Sequence, residues 1–205
     1  LLHQVNPQGP RGFRVAKYNA QDAAYVKVAN STETFTYEVG AGYLFGGRPS
    51  SEFVATANLR GAAGFRPHFL LVGGGQYFDL YEKSSVPATY AVRVEDVPAD
   101  QGSHLARLDA NGQAGYKLRG TQNFADGSLW VFVKDTSKAN EKATFRYFTD
   151  VSVNNLVGIV AQANAQGALG RGYDGPIPFG SGTRNLYVLS TNCSGVLCDV
   201  RGPSE

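Results

Sequence analysis

Thr34-Phe-Thr-Tyr-Glu-Val39 sets Phe35, Tyr37 and Val39 against Thr34, Thr36 and Glu38. Thr89-Tyr-Ala-Val-Arg-Val94 does the same with Tyr90, Val92 and Val94 against Thr89, Ala91 and Arg93. A period of two puts one set of side chains on a core and the other in water, the pattern of a half-buried strand. Val26 and Val28 share a face in Tyr25–Asn30, and the Val, Thr, Tyr and Phe of these stretches suit a pleated surface. Further strands are expected at Phe53–Leu59, His68–Val72, Tyr77–Glu82, Leu105–Leu108, Tyr116–Leu118, Leu129–Lys134, Phe145–Val153, Asn185–Ser190 and Val196–Val200. Leu129-Trp-Val-Phe-Val133 is apolar on both faces and reads as a central strand.

The punctuation agrees. Asn111-Gly112 and Asp126-Gly127 carry the chemistry of tight hairpin turns, because both residue types tolerate positive φ. Gly73-Gly-Gly75 separates two apolar runs, and Ser137–Asn140 links the Trp130 strand to the Phe145 strand. One helix is expected over Asn154–Ala168, with Asn155 as its N-cap, although Leu156–Val160 also fits a strand. Gly167–Thr183, rich in Gly and Pro, reads as a long loop. No internal repeat of fixed period is visible.

These features predict an all-β chain: an antiparallel β-sandwich, jelly-roll-like, with an extended N-terminal arm and at most one short helix. The arm is residues 1–12 and the sandwich 13–190, open to division into two small sandwiches near 97–102. A tail with a cysteine loop follows at 191–205. The pair Leu129–Lys134 and Phe145–Val153 resembles, over about 25 residues, the closing hairpin of jelly-roll coat proteins.

Composition narrows the function. The chain has 205 residues, 18% of them charged, and a net charge of +2. A balance so near zero argues against nucleic acid as the primary partner, and no apolar run is long enough for a membrane helix. There is no methionine and residue 1 is leucine, so a mature or trimmed chain is expected. Cys193 and Cys198 stand close together and read as a small disulfide loop. Asn30-Ser-Thr32 fits a glycosylation triplet, though an ordinary polar turn explains it as well.

No constellation of residues points to catalysis. No Gly-x-Ser-x-Gly, Gly-x-Gly-x-x-Gly or Gly-Lys-Ser/Thr occurs. His68 and His104 lack a supporting motif, and Asp79, Glu82, Glu95 and Asp96 are the closest acids. Asp109-Ala-Asn-Gly112 opens like a calcium loop without its later ligands and reads better as a turn. No catalytic, cofactor-binding or metal-ligating residue is therefore assigned, and no cofactor. Tyr43, Phe45 and Tyr173 lie beside Gly-rich turns as candidate interface or ligand aromatics, and Arg11 and Arg14 are candidate arm contacts. The expected function is a non-enzymatic structural or assembly subunit of an extracellular, appendage, cell-surface or virus-particle assembly, partnered by copies of itself or by other subunits. The alternatives are a carbohydrate- or protein-binding β-sandwich module, with glycans as partners, and a hydrolase assembled from scattered residues.

Overall fold

A computed structural model describes residues 5–18, 23–27, 29–153, 155–179 and 182–198. Val28, Val200, residues 1–4 of the expected arm and 199–205 of the expected tail lie outside the described residues. A short 3-10 helix (Gly9–Arg11) precedes strands β1 (Arg14–Tyr18), β2 (Ala23–Val26) and β3 (Phe35–Val39). Helix α1 (Ser50–Ala62) follows, then β4 (Arg66–Gly73), β5 (Gln76–Ser84) and β6 (Tyr90–Asp96). Next come α2 (Gln101–Gln113), β7 (Lys117–Phe124), β8 (Gly127–Asp135) and β9 (Thr144–Val151), and last α3 (Leu156–Gly167), β10 (Gly172–Phe179) and β11 (Gly182–Thr191).

Among the described residues the chain is mostly antiparallel sheet, as the alternation predicts, but with three α-helices and no closed barrel. It divides into two compact units, residues 1–96 with 119–138, and 97–118 with 139–205. No described helix is long and apolar enough to cross a membrane. The sheets run β3-β5-β4, β6-β8-β7 and β9-β11-β10, beside a two-stranded β1-β2 sheet. Each three-stranded sheet has the same plan. A first strand pairs with the second strand of the hairpin that follows the next helix. β8 is a central strand with Leu129 to Val133 all buried, matching its apolar character. It pairs with β6, and β9 pairs with β11, so these two strands are not the hairpin of a jelly roll.

An internal repeat, not visible as a periodicity, underlies this plan. An Asn or Asp, then Gly three residues on, then Gly three further, recurs about every 50 residues: Asn6-Gly9-Gly12, Asn58-Gly61-Gly64, Asp109-Gly112-Gly115 and Asn164-Gly167-Gly170. The second glycine ends each helix in the left-handed region, with φ of 81°, 89°, 83° and 73° in chain order. Its N–H bonds to the first glycine's carbonyl, and the next residue's N–H reaches back five residues, to Gln8, Arg60, Asn111 and Gln166. This is the Schellman way of satisfying helix-end carbonyls, and it needs a residue that accepts positive φ.

The first two residues of the motif dock the helix on a strand. Asn58 Nδ2 donates to Val92 O (3.0 Å), and Val92 N donates to Asn58 Oδ1 (2.8 Å). The Asn58 carboxamide thus takes the place of a neighbouring strand along β6, an edge of its sheet. Tyr147 N donates likewise to Asp109 Oδ1 (2.8 Å) on β9, and Tyr37 N to Asn6 Oδ1 (3.0 Å) on β3. The first glycine permits the approach. A Cβ would stand 2.0 Å from Phe35 O at Gly9, 2.1 Å from Tyr90 O at Gly61 and 1.8 Å from Phe145 O at Gly112.

A second tie recurs in alternate repeats. Val15 N donates to Tyr37 Oη (2.9 Å), and Leu118 N to Tyr147 Oη (2.6 Å). Between them the positions corresponding to the donor and the tyrosine are Pro67 and Val92: proline has no N–H and valine no hydroxyl, so both halves of the bond are missing together.

These contacts explain where the structure departs from the sequence reading. Phe53–Leu59 and Leu105–Leu108 are helical, not strands. The buried positions of α1 include Phe53, Ala57 and Gly61, spaced for a helix face, but alanine and glycine do not register as apolar beats. Asn111-Gly112 is the last turn of α2 rather than a hairpin, and its glycine serves close approach. Asp100 caps α2 by accepting from Ser103 N (2.8 Å), and Asn155 caps α3 as expected, accepting from Gly158 N (2.7 Å). Gly167–Thr183 is largely the β10–β11 hairpin; Pro176 and Pro178 are tolerated because β10 is an edge strand. The stretch expected as an extended arm is compact from Val5 onward: Val5 is buried, and Gly9 is buried against Phe35 of β3.

Replacing Gly61 or Gly112 with alanine should destabilise the protein by at least about 2 kcal/mol, since backbone, not a flexible side chain, must move. Urea or thermal unfolding checks this, and a loss below about 0.5 kcal/mol would contradict the docking geometry.

Candidate functional site

The aromatic loop between β3 and α1 is an expected site that is exposed at its tip. Tyr43 is fixed by a two-bond bridge to Tyr77 (Tyr43 N to Tyr77 O 3.0 Å, Tyr77 N to Tyr43 O 2.8 Å). Leu44 and Phe45 then project, 66% and 61% exposed, with the Phe45 ring 5.1 Å from that of Tyr77. Gly47 N closes the turn on Leu44 O (2.9 Å).

Beneath the loop lies a buried pair. Arg48 Nη2 is 2.5 Å from Asp79 Oδ2, and its guanidinium stacks on Tyr43 (4.1 Å) and Phe53 (5.0 Å). Tyr43 Oη donates to Asp79 Oδ1 (3.4 Å) and accepts from Gln122 Nε2 (3.3 Å), whose Oε1 accepts from Arg119 Nη1 (3.0 Å). Burial, then the charge of Asp79, raises the Tyr43 phenol, so the ring remains protonated. Tyr43 is thus a strut, and Leu44 with Phe45 form the presented surface.

Among the described residues a dense cluster of ionisable groups lies elsewhere in the same unit, around Glu82. Arg66 Nη2 (2.5 Å) and Arg14 Nε (3.1 Å) meet Glu82 Oε1. Tyr37 Oη donates to Oε2 (3.1 Å), and His68 Nε2 lies 3.2 Å from Oε2 and 2.8 Å from Val15 O. With two acceptors facing it, Nε2 carries the proton. Burial opposes the charge on Glu82, but His68, Arg66 and Arg14 together outweigh it and hold the carboxyl at about 2. Burial also drives His68 well below its ordinary range, with Glu82 pulling the other way, so the imidazole is neutral at physiological pH. The cluster bolts β1 to the β3-β5-β4 sheet through side chains from β1, β3, β4 and β5. Asp79 and Glu82 serve different cations and are not a catalytic pair.

The remaining expected residues are dispersed. Arg11 is exposed, bonded to Gln8 Oε1 (3.0 Å) and stacked on Phe13 (5.5 Å). Arg14 belongs to the Glu82 cluster. Tyr173 is buried in β10, donating to Asn185 Oδ1 (3.4 Å), so it presents no surface. His104 is buried in α2, Nε2 on Pro98 O (2.6 Å). Cys193 and Cys198 form a disulfide with Cα atoms 5.5 Å apart, and Asn140 braces that loop through Ser194 O (2.9 Å) and Ser194 N (2.8 Å). Among the described residues no group of three His, Cys, Asp or Glu side chains could hold a metal ion. Sequence reasoning missed Arg48, Arg66 and the role of Glu82. Glu82 was the detectable one, because the corresponding positions of β8 and β11 are Val133 and Val188.

Acid should weaken the protein in two stages. Below the ordinary His68 value of 6.5 the unfolded chain takes a proton that the folded chain refuses, so stability falls with pH. Glu82's contribution is complete above its ordinary 4.5 and is lost as pH falls toward its folded value of about 2. Melting temperatures across pH 2–8 check this. His68→Gln should flatten the upper stage. Glu82→Gln should flatten the lower one and cost about 3–5 kcal/mol at neutral pH by stranding buried arginines. An unaltered acid limb in Glu82→Gln would refute the assignment. Compared with protein-family models, with curated proteins and with solved structures, the chain matches none.

Proposed function

We propose that the chain is a non-enzymatic structural subunit, a sandwich-like β module that acts by associating with other chains in an extracellular, cell-surface, appendage or virus-particle assembly. The observation carrying this reading is the repeated helix-on-strand joint, used three times inside the chain to hold one segment against the next. Folds of this kind extend by adding like units to like surfaces. The buried ionisable groups support it as well, since Glu82, Arg66, Arg48 and Asp79 are engaged in bracing strands. The Cys193–Cys198 bond favours an oxidising compartment.

A second reading, a carbohydrate- or protein-binding module, is favoured by one feature, the presented Leu44–Phe45 pair beside Tyr77. Light scattering of the purified chain over a wide concentration range separates the two. Particles of more than one copy are expected. A chain that stays monomeric and is retained on a glycan matrix, with retention lost in Phe45→Ala, would replace the first reading by the second.

A further inference from the structure

Three joints inside the chain define what a helix end of this kind receives. In each, one strand residue turns its carbonyl toward the first glycine of the motif, and the residue two further on donates its N–H to the Asn or Asp. The pairs are Phe35 and Tyr37 on β3, Tyr90 and Val92 on β6, and Phe145 and Tyr147 on β9. All six side chains are buried. The received segment thus has a common signature: an aromatic residue, any residue, then Tyr or Val. In each case it lies in an edge strand whose other side is paired within its own sheet.

α3 repeats the receiving half of this joint. Asn164 and Gly167 stand where α1 has Asn58 and Gly61 and α2 has Asp109 and Gly112. Gly61 and Gly112 are buried and Asn58 and Asp109 half-buried, whereas Asn164 and Gly167 are exposed. Among the described residues, a Cβ on Gly167 meets nothing within 4 Å. One turn back on the same face, Val160 is 49% exposed, while its counterparts Val54 and Leu105 are half-buried. α3 also holds no charged residue, while α1 has Glu52 and Arg60 and α2 has Arg107 and Asp109. A solvent-facing helix ordinarily carries charge, and the cores of protein interfaces are depleted of it.

The chain itself does not supply the missing half. In a folded second copy β3, β6 and β9 already spend these main-chain groups on Asn6, Asn58 and Asp109. The segment Asp199–Glu205 contains no aromatic residue. The geometry points to α3 as the acceptor for an edge strand of a different chain, one that carries the aromatic-x-Tyr/Val signature. The N–H of its Tyr or Val donates to Asn164 Oδ1, and Asn164 Nδ2 donates back to the strand as Asn58 does at Val92. The carbonyl of its aromatic residue comes in over Gly167. Such recognition draws its affinity from main-chain hydrogen bonds and its specificity from alternate side chains. The inference goes beyond the subunit reading, because its partner has another sequence and the site acts whether or not copies associate.

A fluorescently labelled peptide Thr89–Asp96, which carries Tyr90 and Val92, is the probe, and anisotropy reads its binding to the full chain. Successive N–H groups of a strand face opposite edges, so methylation of the Val92 nitrogen removes the bond to Asn164 and methylation at Arg93 spares it. The parent is expected to bind the plain and the Arg93-methylated peptides alike. Asn164→Ala should weaken binding about tenfold. Gly167→Leu, or methylation at Val92, should abolish it. Nothing in the chain lies near a Cβ on Gly167, so circular dichroism and melting temperature of Gly167→Leu should match the parent. No binding by the parent, equal binding by Gly167→Leu, or indifference to methylation at Val92 overturns the acceptor site. Light scattering of the same samples reports on copies separately. Particles that persist in Gly167→Leu keep the subunit reading whatever the peptide does. A monomeric parent that binds the peptide upholds the acceptor site and removes that reading. Particles lost in Gly167→Leu make a second copy the occupant and overturn the assignment to a different chain.

Discussion

A sheet edge is a row of main-chain donors and acceptors with nothing opposite, and this protein closes such edges with helices. At Val92 a single carboxamide supplies both halves of the missing pairing. Buried main-chain groups must find partners, and exposed edges recruit other chains. Both constraints act on the same atoms here, which explains why a helix must come so near a strand. That nearness requires glycine at positions 9, 61 and 112, with carbonyl oxygens where a methyl group would stand. The Gly-rich composition, which resembles that of a loop protein, partly reflects helices packed at their closest distance.

On this frame the charged interior is a local addition. Glu82 stands where β8 and β11 carry valine, and the cations around it come from strands distant in sequence. Removing two or three charges from water is costly and is offset by mutual attraction only when geometry is close. The cluster is therefore weak grounds for high stability. It is stronger grounds for a defined position of β1, whose main chain bonds with Tyr37 and His68 on either side of Val15.

The strands were legible because alternation is a short-range signal; Phe35, Tyr37, Val92 and the apolar run at Trp130 all lie as their spacing implies. The helices were not, because their inward residues are glycine, alanine and a polar cap instead of leucine and valine. Asn111-Gly112 shows the difficulty in two residues: a dipeptide suited to positive φ sits in a helix, since the constraint is crowding from Phe145 and not backbone conformation. The repeat escaped notice for the same reason, as only its sparse Asn/Asp and glycine positions persist. Of the presented surface, the Tyr43–Phe45 turn was legible from its flanking glycines, whereas the exposure of Val157 and Val160 on α3 emerges only by comparison with α1 and α2.

Repetition carries a hazard during folding, because β5, β8 and β11 follow one plan and could trade places within a chain or between chains. Glu82 labels its strand against such errors. Seated in either of the other sheets, its carboxylate would take a position that carries valine there, without Arg14 as its partner, and the energy of an uncompensated buried charge would oppose that exchange. The one acid that departs from the repeat thus acts as an address, telling the first sheet apart from its copies.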